Sequence, residues 1–250
     1  MIRVFVGTSP DGHDAEAEIA LERSIRSRCS MPVEIEWMRL THDPKSPWFV
    51  GHYQTANWVT PFSGFRWNIP KACGYQGRAI YMDVDTLVIT DLAELWNADM
   101  RGAAIMAREC TRFCVMLIDC QKANRWPQLR QCRSHAGAVA PFPAGQNWNC
   151  LDGDGLPLHD FSMKILHFTS IDSQPHIPLA RERLAKDGTA HWYDGPVRPH
   201  WRPELTALWR LEYDAALKEG YAIKPQNGPP FGFISKRKLE VYKGLRPANA

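Results

Sequence analysis

The chain has 250 residues, 44% of them apolar, with a formal net charge of +3. That length suits one large domain, or a domain with a subdomain. The charge is too small to point to nucleic acid, and no apolar run approaches the length of a membrane span. The seven cysteines are odd in number and form no Cys-x-x-Cys, so they read as reduced thiols. The N-terminus runs straight into a strand pattern without a signal-peptide layout. Together these features point to the cytoplasm.

In chain order, residues 1–6 (Met-Ile-Arg-Val-Phe-Val) read as a first strand, followed by a loop at Gly7-Thr8-Ser9-Pro10. Ala17, Ala20, Leu21, Ser24 and Ile25 then share one helical face. Val33, Ile35 and Trp37 alternate with polar neighbours as a second strand does. This is a β-α-β opening, but its loop has neither Gly-x-Gly-x-x-Gly nor a P-loop. Residues 42–58 read as a long loop. Thr60-Pro61 then suits the start of a short helix that buries Phe62, Phe65 and Ile69 and stops at Pro70.

The next stretch organises the chain. Ala79 to Met82 is apolar, as in a buried parallel strand. Asp83 and Asp85 follow, one residue apart. Leu87 to Ile89 is a second apolar run, and Asp91 with Glu94 suits a helix N-cap and capping box. Two carboxylates at the carboxyl end of a central strand are costly unless a positive charge meets them, and ligands of open α/β sheets bind at that edge. A divalent cation carrying an oxygen-rich ligand such as a nucleotide diphosphate answers both points.

Residues 103–107 and 114–118 read as further strands, with Asp119 capping a helix that carries Trp126 and Leu129. Cys110, Cys114 and Cys120 match no common zinc spacing and read as core residues. Asp152-Gly-Asp-Gly155 lacks the EF-hand spacing and reads as a turn. Lys164 to Phe168 is a short strand carrying His167, and 169–178 reads as a loop. Pro203 to Glu219 is a late helix with Leu205, Leu208, Trp209 and Leu217 apolar. Asp83, Asp85 and His167 are the candidate metal ligands, a set that suits Mn²⁺ better than Ca²⁺. Either aspartate is expected to be replaceable by Ala without loss of the fold. From Lys224 the tail is rich in Pro and Gly, then basic (Lys236, Arg237, Lys238, Lys243, Arg246), which divides the chain into 1–223 and 224–250.

The stretch Tyr81-Met-Asp83-Val-Asp85-Thr-Leu-Val-Ile-Thr-Asp91-Leu-Ala-Glu-Leu-Trp96 resembles the core of the family-8 glycosyltransferases, which include glycogenin and bacterial lipopolysaccharide glycosyltransferases. Arg66 within Phe62–Pro70, the Cys114–Ile118 strand, and His167 to His176 are similar to the family's other motifs, in the same order. The resemblance covers about residues 1–180. It implies a GT-A fold, an α/β architecture with one Rossmann-like mixed central sheet flanked by helices. It also implies a metal-dependent transfer of a hexose from a nucleotide diphosphate sugar, a UDP-hexose, to a hydroxyl acceptor with retention of configuration. That acceptor would be a saccharide, a lipid-linked glycan or a protein. Asp83, Asp85 and His167 would then hold Mn²⁺ or Mg²⁺. Gly7, Thr8, Tyr81 and Met82 would line the nucleotide side, and Arg66 would approach the phosphates or sugar. Trp148 and Asn149 would contact the sugar or acceptor.

Three features depart from the family pattern. Gln174 stands where the family has Lys, the loop from His167 to Pro175 is one residue longer, and Arg112-Phe-Cys114 replaces Asn-x-Gly. Two alternatives stay open on the sequence. One is a nucleotide-sugar-binding module without turnover. The other is a haloacid-dehalogenase-type phosphatase, although Leu87 stands where that family has Thr or Val. The basic tail suits a weak peripheral contact with an anionic membrane face.

Overall fold

The structure is a computed structural model that describes residues 1–55, 58, 60–109, 111–126, 128–223 and 231. The basic tail residues and Cys110 lie outside the described residues. Strand β1 (Ile2–Gly7), helix α1 (Ala15–Arg28) and strand β2 (Val33–Met38) form the expected β-α-β unit, with β1 and β2 parallel. β1 also pairs in parallel with β3 (Arg78–Asp83). Strands β5 (Ile105–Glu109), β6 (Arg112–Asp119) and β7 (Val139–Pro141) complete a mixed six-stranded sheet in the order β2-β1-β3-β6-β5-β7. Because β3 is central, its residues Ala79 to Met82 are fully buried, which accounts for their unbroken apolar run.

A second sheet, of three strands, adds to the expected architecture. Its order is β4-β9-β8, built from β4 (Thr86–Val88), β8 (Cys150–Leu151) and β9 (Ile165–His167). The chain leaves β3 at Asp83, turns through Val84 and Asp85, and enters β4 in this other sheet. β4 runs antiparallel to β9 with Thr86 opposite His167, and the Phe168 N–H donates to the Asp85 carbonyl at 2.9 Å. The two motif carboxylates therefore straddle the joint between the sheets, and His167 reaches that joint through β9.

Helix α1 packs against β4 and against the late helix α6 (Pro203–Lys218). Leu205, Trp209, Tyr213 and Ala216 of α6 form a second apolar cluster with Leu87, Leu166 and Phe168. Glu212 of α6 is buried and accepts from both Arg23 and Arg28 of α1. Leu217, one of the apolar positions expected on this helix, faces solvent.

Several local expectations are corrected. Pro70 does not stop a helix: a 3-10 turn at Phe65–Asn68 leads into the short helix α2 (Ile69–Ala72), with Pro70 in its first turn. Proline is tolerated there because its missing N–H has no intrahelical partner to lose. Asp91 does cap α3 (Leu92–Trp96) by accepting from Ala93 N–H, but Glu94 turns to Lys164. Asp119 caps α4 (Cys120–Ala123), which ends before Trp126 and Leu129. The stretch read as a loop to residue 178 already contains the first turn of α5 (Ile177–Lys186). Asp152 and Asp154 form a turn whose carboxylates bind Thr169, His200 and Arg108.

Candidate active site

At the carboxyl ends of β1 and β3 the backbones are tightly packed. Gly7 pairs with Asp83 across the strands, and a Cβ on Gly7 would stand 2.9 Å from the Tyr81 hydroxyl. Only glycine leaves that hydroxyl in place. Tyr81 donates it to the Asp83 carboxylate. Arg66 also reaches Asp83, with Nη2 at 2.9 Å from Oδ1 and 3.3 Å from Oδ2. The other terminal nitrogen, Nη1, donates to the Phe113 carbonyl at 2.8 Å, and the guanidinium lies 4.8 Å from the Tyr81 ring centroid. Burial works against the Arg66 charge, but the Asp83 carboxylate beside it outweighs that, and the net shift holds Arg66 protonated. Arg66 thus lies at the carboxyl end of β3, with both terminal nitrogens committed to the protein.

Asp85 has a different environment. Its Oδ2 accepts from the Gln174 side-chain amide at 2.7 Å, and that amide also donates to the Phe168 carbonyl. Its Oδ1 is buried and takes part in no hydrogen bond. The His167 Nε2 lies 3.3 Å from that oxygen, outside hydrogen-bond geometry. The opposite ring nitrogen, Nδ1, is 3.0 Å from Asn149 Oδ1. When Nδ1 carries the proton and donates to Asn149, the Nε2 lone pair faces the orphaned Asp85 oxygen. Burial disfavours a charged His167, yet the Asp85 carboxylate beside it outweighs burial and raises its pKa.

An orphaned carboxylate oxygen beside an imidazole nitrogen, with the ring oriented from behind by an amide oxygen, fits a divalent cation. Asp85 and His167 supply free donor atoms, and Asp83 has unused acceptor capacity on Oδ2. Cys114, read from the sequence as core, approaches the same place: donor atoms of Asp83, Cys114 and His167 lie within 4.8 Å of one another. Burial pushes the Cys114 thiol up to about 12, with the Asp83 charge acting in the same direction. Cys120 is a buried core thiol, as expected.

Asp85, Cys114, His167 and Gln174 line a pocket of about 210 Å³, with Asp14 and Arg112 on its wall. Other predicted residues stand back from it. Thr8 is buried and donates its hydroxyl to Glu18. Met82 is wholly enclosed in the core. Trp148 is also wholly buried, its indole N–H spent on Gln146, so it has no ring face to offer a sugar, which corrects that expectation. Asn149 is equally buried and touches His167 rather than the open pocket. Sequence reasoning missed Cys114 and Arg112 as pocket residues. The one available signal was their place in the segment that departs from the family's Asn-x-Gly.

No protein-family model and no curated protein matches the chain. Solved structures do match. LgtC, a galactosyltransferase crystallised in complex with donor and acceptor sugar analogs, aligns at 12% identity and a TM-score of 0.55. The alignment covers 92% of this chain and 98% of LgtC. The fold is GT-A. The glycosyltransferase GlyE of Streptococcus pneumoniae TIGR4 aligns at 15% identity and a TM-score of 0.51, over 91% of this chain and 66% of GlyE. The bifunctional glycosyltransferase WbbM aligns at 12% identity and a TM-score of 0.51, over 70% of this chain and 46% of WbbM. The GT-A architecture expected from the resemblance is therefore present, extended by the small second sheet. A haloacid-dehalogenase reading is set aside on the same ground.

Proposed function

We propose that the chain is a glycosyltransferase that moves a hexose from a nucleotide diphosphate sugar, UDP-linked, to a hydroxyl acceptor with retention of configuration. The observation that carries this reading is the buried, unpartnered Asp85 Oδ1 beside His167 Nε2, at the strand edge where α/β folds of this kind bind ligands. Asp85 and His167, with Asp83 beside them, are the residues that would hold Mn²⁺ or Mg²⁺. Such a cation, when bound, offsets the charge that builds on a departing diphosphate.

The chain's own residues have narrower tasks. Asn149 fixes the His167 ring. Arg66 and Tyr81 hold Asp83 in place, so Arg66 acts as a positioning residue and does not itself clamp the phosphates. Gly7 lets the first strand end close to the donor. Arg112, half exposed, on the pocket wall and paired with Glu109 at 2.9 Å, is a cationic side chain that would meet a diphosphate on this reading. Gln174 is neutral and occupied with Asp85, so it orients that carboxylate and contributes no charge. Retention lets the acceptor approach from the leaving-group face, where a donor phosphate oxygen accepts its proton. No protein base is required.

The acceptor is a hydroxyl of a saccharide, a lipid-linked glycan or a protein. Basic residues 236–246 would add a weak, salt-sensitive contact with anionic headgroups if the acceptor is lipid-linked. The test is release of the nucleotide leaving group (UDP, GDP or CMP) from a panel of UDP-, GDP- and CMP-sugars with Mn²⁺. UDP-hexose consumption that stops with EDTA and in Asp85→Ala supports the reading. Binding of UDP-sugar with no consumption in the presence of simple sugar acceptors or water would instead favour the binding module.

A further inference from the structure

On the wall of the same pocket, where Asp14 and His176 line it, lies a second group of ligating side chains that shares no residue with the first. Asp14, His176 and His191 are all buried, and their donor atoms lie within 4.8 Å of one another. They come from three distant segments. Asp14 precedes α1, His176 precedes α5, and His191 belongs to the connection after α5. Asp14 Oδ1 is 3.3 Å from His176 Nε2 and 3.6 Å from His191 Nε2. Bonds of about 2.0–2.1 Å to a tetrahedral Zn²⁺ place donor atoms about 3.3–3.4 Å apart. The observed separations match that within a few tenths of an ångström.

His176 Nε2 and Asp14 Oδ1 form a buried His-Asp hydrogen bond, and the third member, His191, is what distinguishes the group from an ordinary pair. Asp14 Oδ1 accepts from the Trp192 indole N–H at 3.0 Å, and Oδ2 accepts from Ser9 N–H at 3.2 Å. The carboxylate is thus oriented from behind, as ligating carboxylates are. His191 Nδ1 sits between the N–H and the carbonyl of Tyr193, at 3.0 and 3.3 Å, so the ring is anchored in either tautomer. Its Nε2 is buried, aimed at Asp14, and has no hydrogen-bond partner. A metal-free cluster leaves that nitrogen unsatisfied at a cost. A cation shared by the three donors satisfies it.

We infer that Asp14, His176 and His191 form a second divalent-cation site of the zinc class, two imidazoles and one carboxylate, that clips the starts of α1 and α5 to the segment after α5. Two nitrogens and one carboxylate oxygen suit Zn²⁺ or Co²⁺ and are too few oxygens for Ca²⁺. The bound ion leaves one tetrahedral position for water. This inference does not depend on the transfer reaction, and its test uses no turnover.

The experiment uses the full chain carrying Asp85→Asn and His167→Gln, which disables the first site. The protein is stripped with chelator and titrated with Co²⁺ alone, and in parallel with Zn²⁺ alone. One equivalent should bind, with the visible absorption of tetrahedral Co²⁺ and a rise in melting temperature by mass action. Adding His191→Gln or His176→Gln should abolish the absorption while far-UV circular dichroism is retained. Should those variants unfold, imidazole ¹⁵N shifts of His176 and His191 in the parent double variant give the answer: both move on adding Zn²⁺. Absence of bound metal in the double variant, or binding that leaves those two imidazoles unshifted or survives their substitution, overturns the site.

Discussion

Asp83 closes β3 against Arg66 and the Tyr81 hydroxyl, whereas Asp85, two residues on, has His167 Nε2 3.3 Å from an oxygen that no hydrogen bond reaches. The same side chain, in one motif, thus meets two solutions to the cost of a buried negative charge. One is a cation supplied by the protein. The other leaves a carboxylate oxygen without a hydrogen bond beside His167, which on the proposed reading a cation from outside would meet. The two positions that a Asp-x-Asp reading treats alike should respond differently to mutation.

The largest expected effect falls on stability at Asp83. Asp83→Ala leaves the buried Arg66 guanidinium without its counter-charge, which costs about 3–5 kcal/mol. This prediction differs from the expectation that either aspartate can be replaced by Ala without loss of the fold. Chemical denaturation of Asp83→Ala beside Asp85→Ala measures it, and equal midpoints would break the comparison. Replacing both partners, Arg66→Met with Asp83→Leu, should recover most of the loss, because the penalty comes from the unpaired charge.

On the Asp85 side, Asn149→Ala removes the group that orients His167. Metal affinity should fall by about 10–100-fold with the fold intact, read by Mn²⁺ titration. An unchanged affinity would mean that the His167 ring needs no support.

Glu212 offers a control for the neutralised carboxylate. Burial alone would raise its pKa, but hydrogen bonds from Arg28 and Arg23 lower it below 4.5. A depressed carboxylate contributes stability that is present above the unfolded value and lost as pH falls through the folded one. Glu212→Gln should therefore cost about 1–2 kcal/mol at neutral pH, since both arginines are partly exposed, and the gap from wild type should close below pH 4.5. A gap that persists to lower pH would contradict the assignment. The smallest effect is at Gln174: Gln174→Lys adds a charge beside the pocket and should tighten nucleotide diphosphate binding by about threefold, within the range of a partly solvated ion pair.

Much of the frame was legible because it rests on long periodic elements. The face of α1, the alternation of β2 and the apolar run of β3 are each set by one repeat along the chain. The N-caps Asp91 and Asp119 were legible for a local reason, since a cap bonds within its own turn. The second sheet was legible only at β9, read as a strand over 164–168. Its strands are two or three residues long, too short for a period, and its pairing of Thr86 with His167 joins residues far apart in sequence. α5 was hidden because Pro178 reads as a break, although at a helix start it is a normal residue. Trp148 looked like a loop aromatic, and only tertiary packing shows it enclosed. Arg66, Cys114 and Asn149 were placed near the site or in the core by their neighbours in sequence. Their true partners, Asp83 and His167, are set by the fold.

The most direct measurement is calorimetric titration of UDP into wild type, Asp85→Asn and Asp83→Asn, each with Mn²⁺ and with EDTA. Wild type should bind UDP, and EDTA should abolish that binding. Asp85→Asn should lose the Mn²⁺-dependent part, and Asp83→Asn should lose less of it, because there stability falls first. UDP binding that is indifferent to EDTA, or a Mn²⁺ response in Asp85→Asn equal to that of wild type, would contradict a cation site at Asp85.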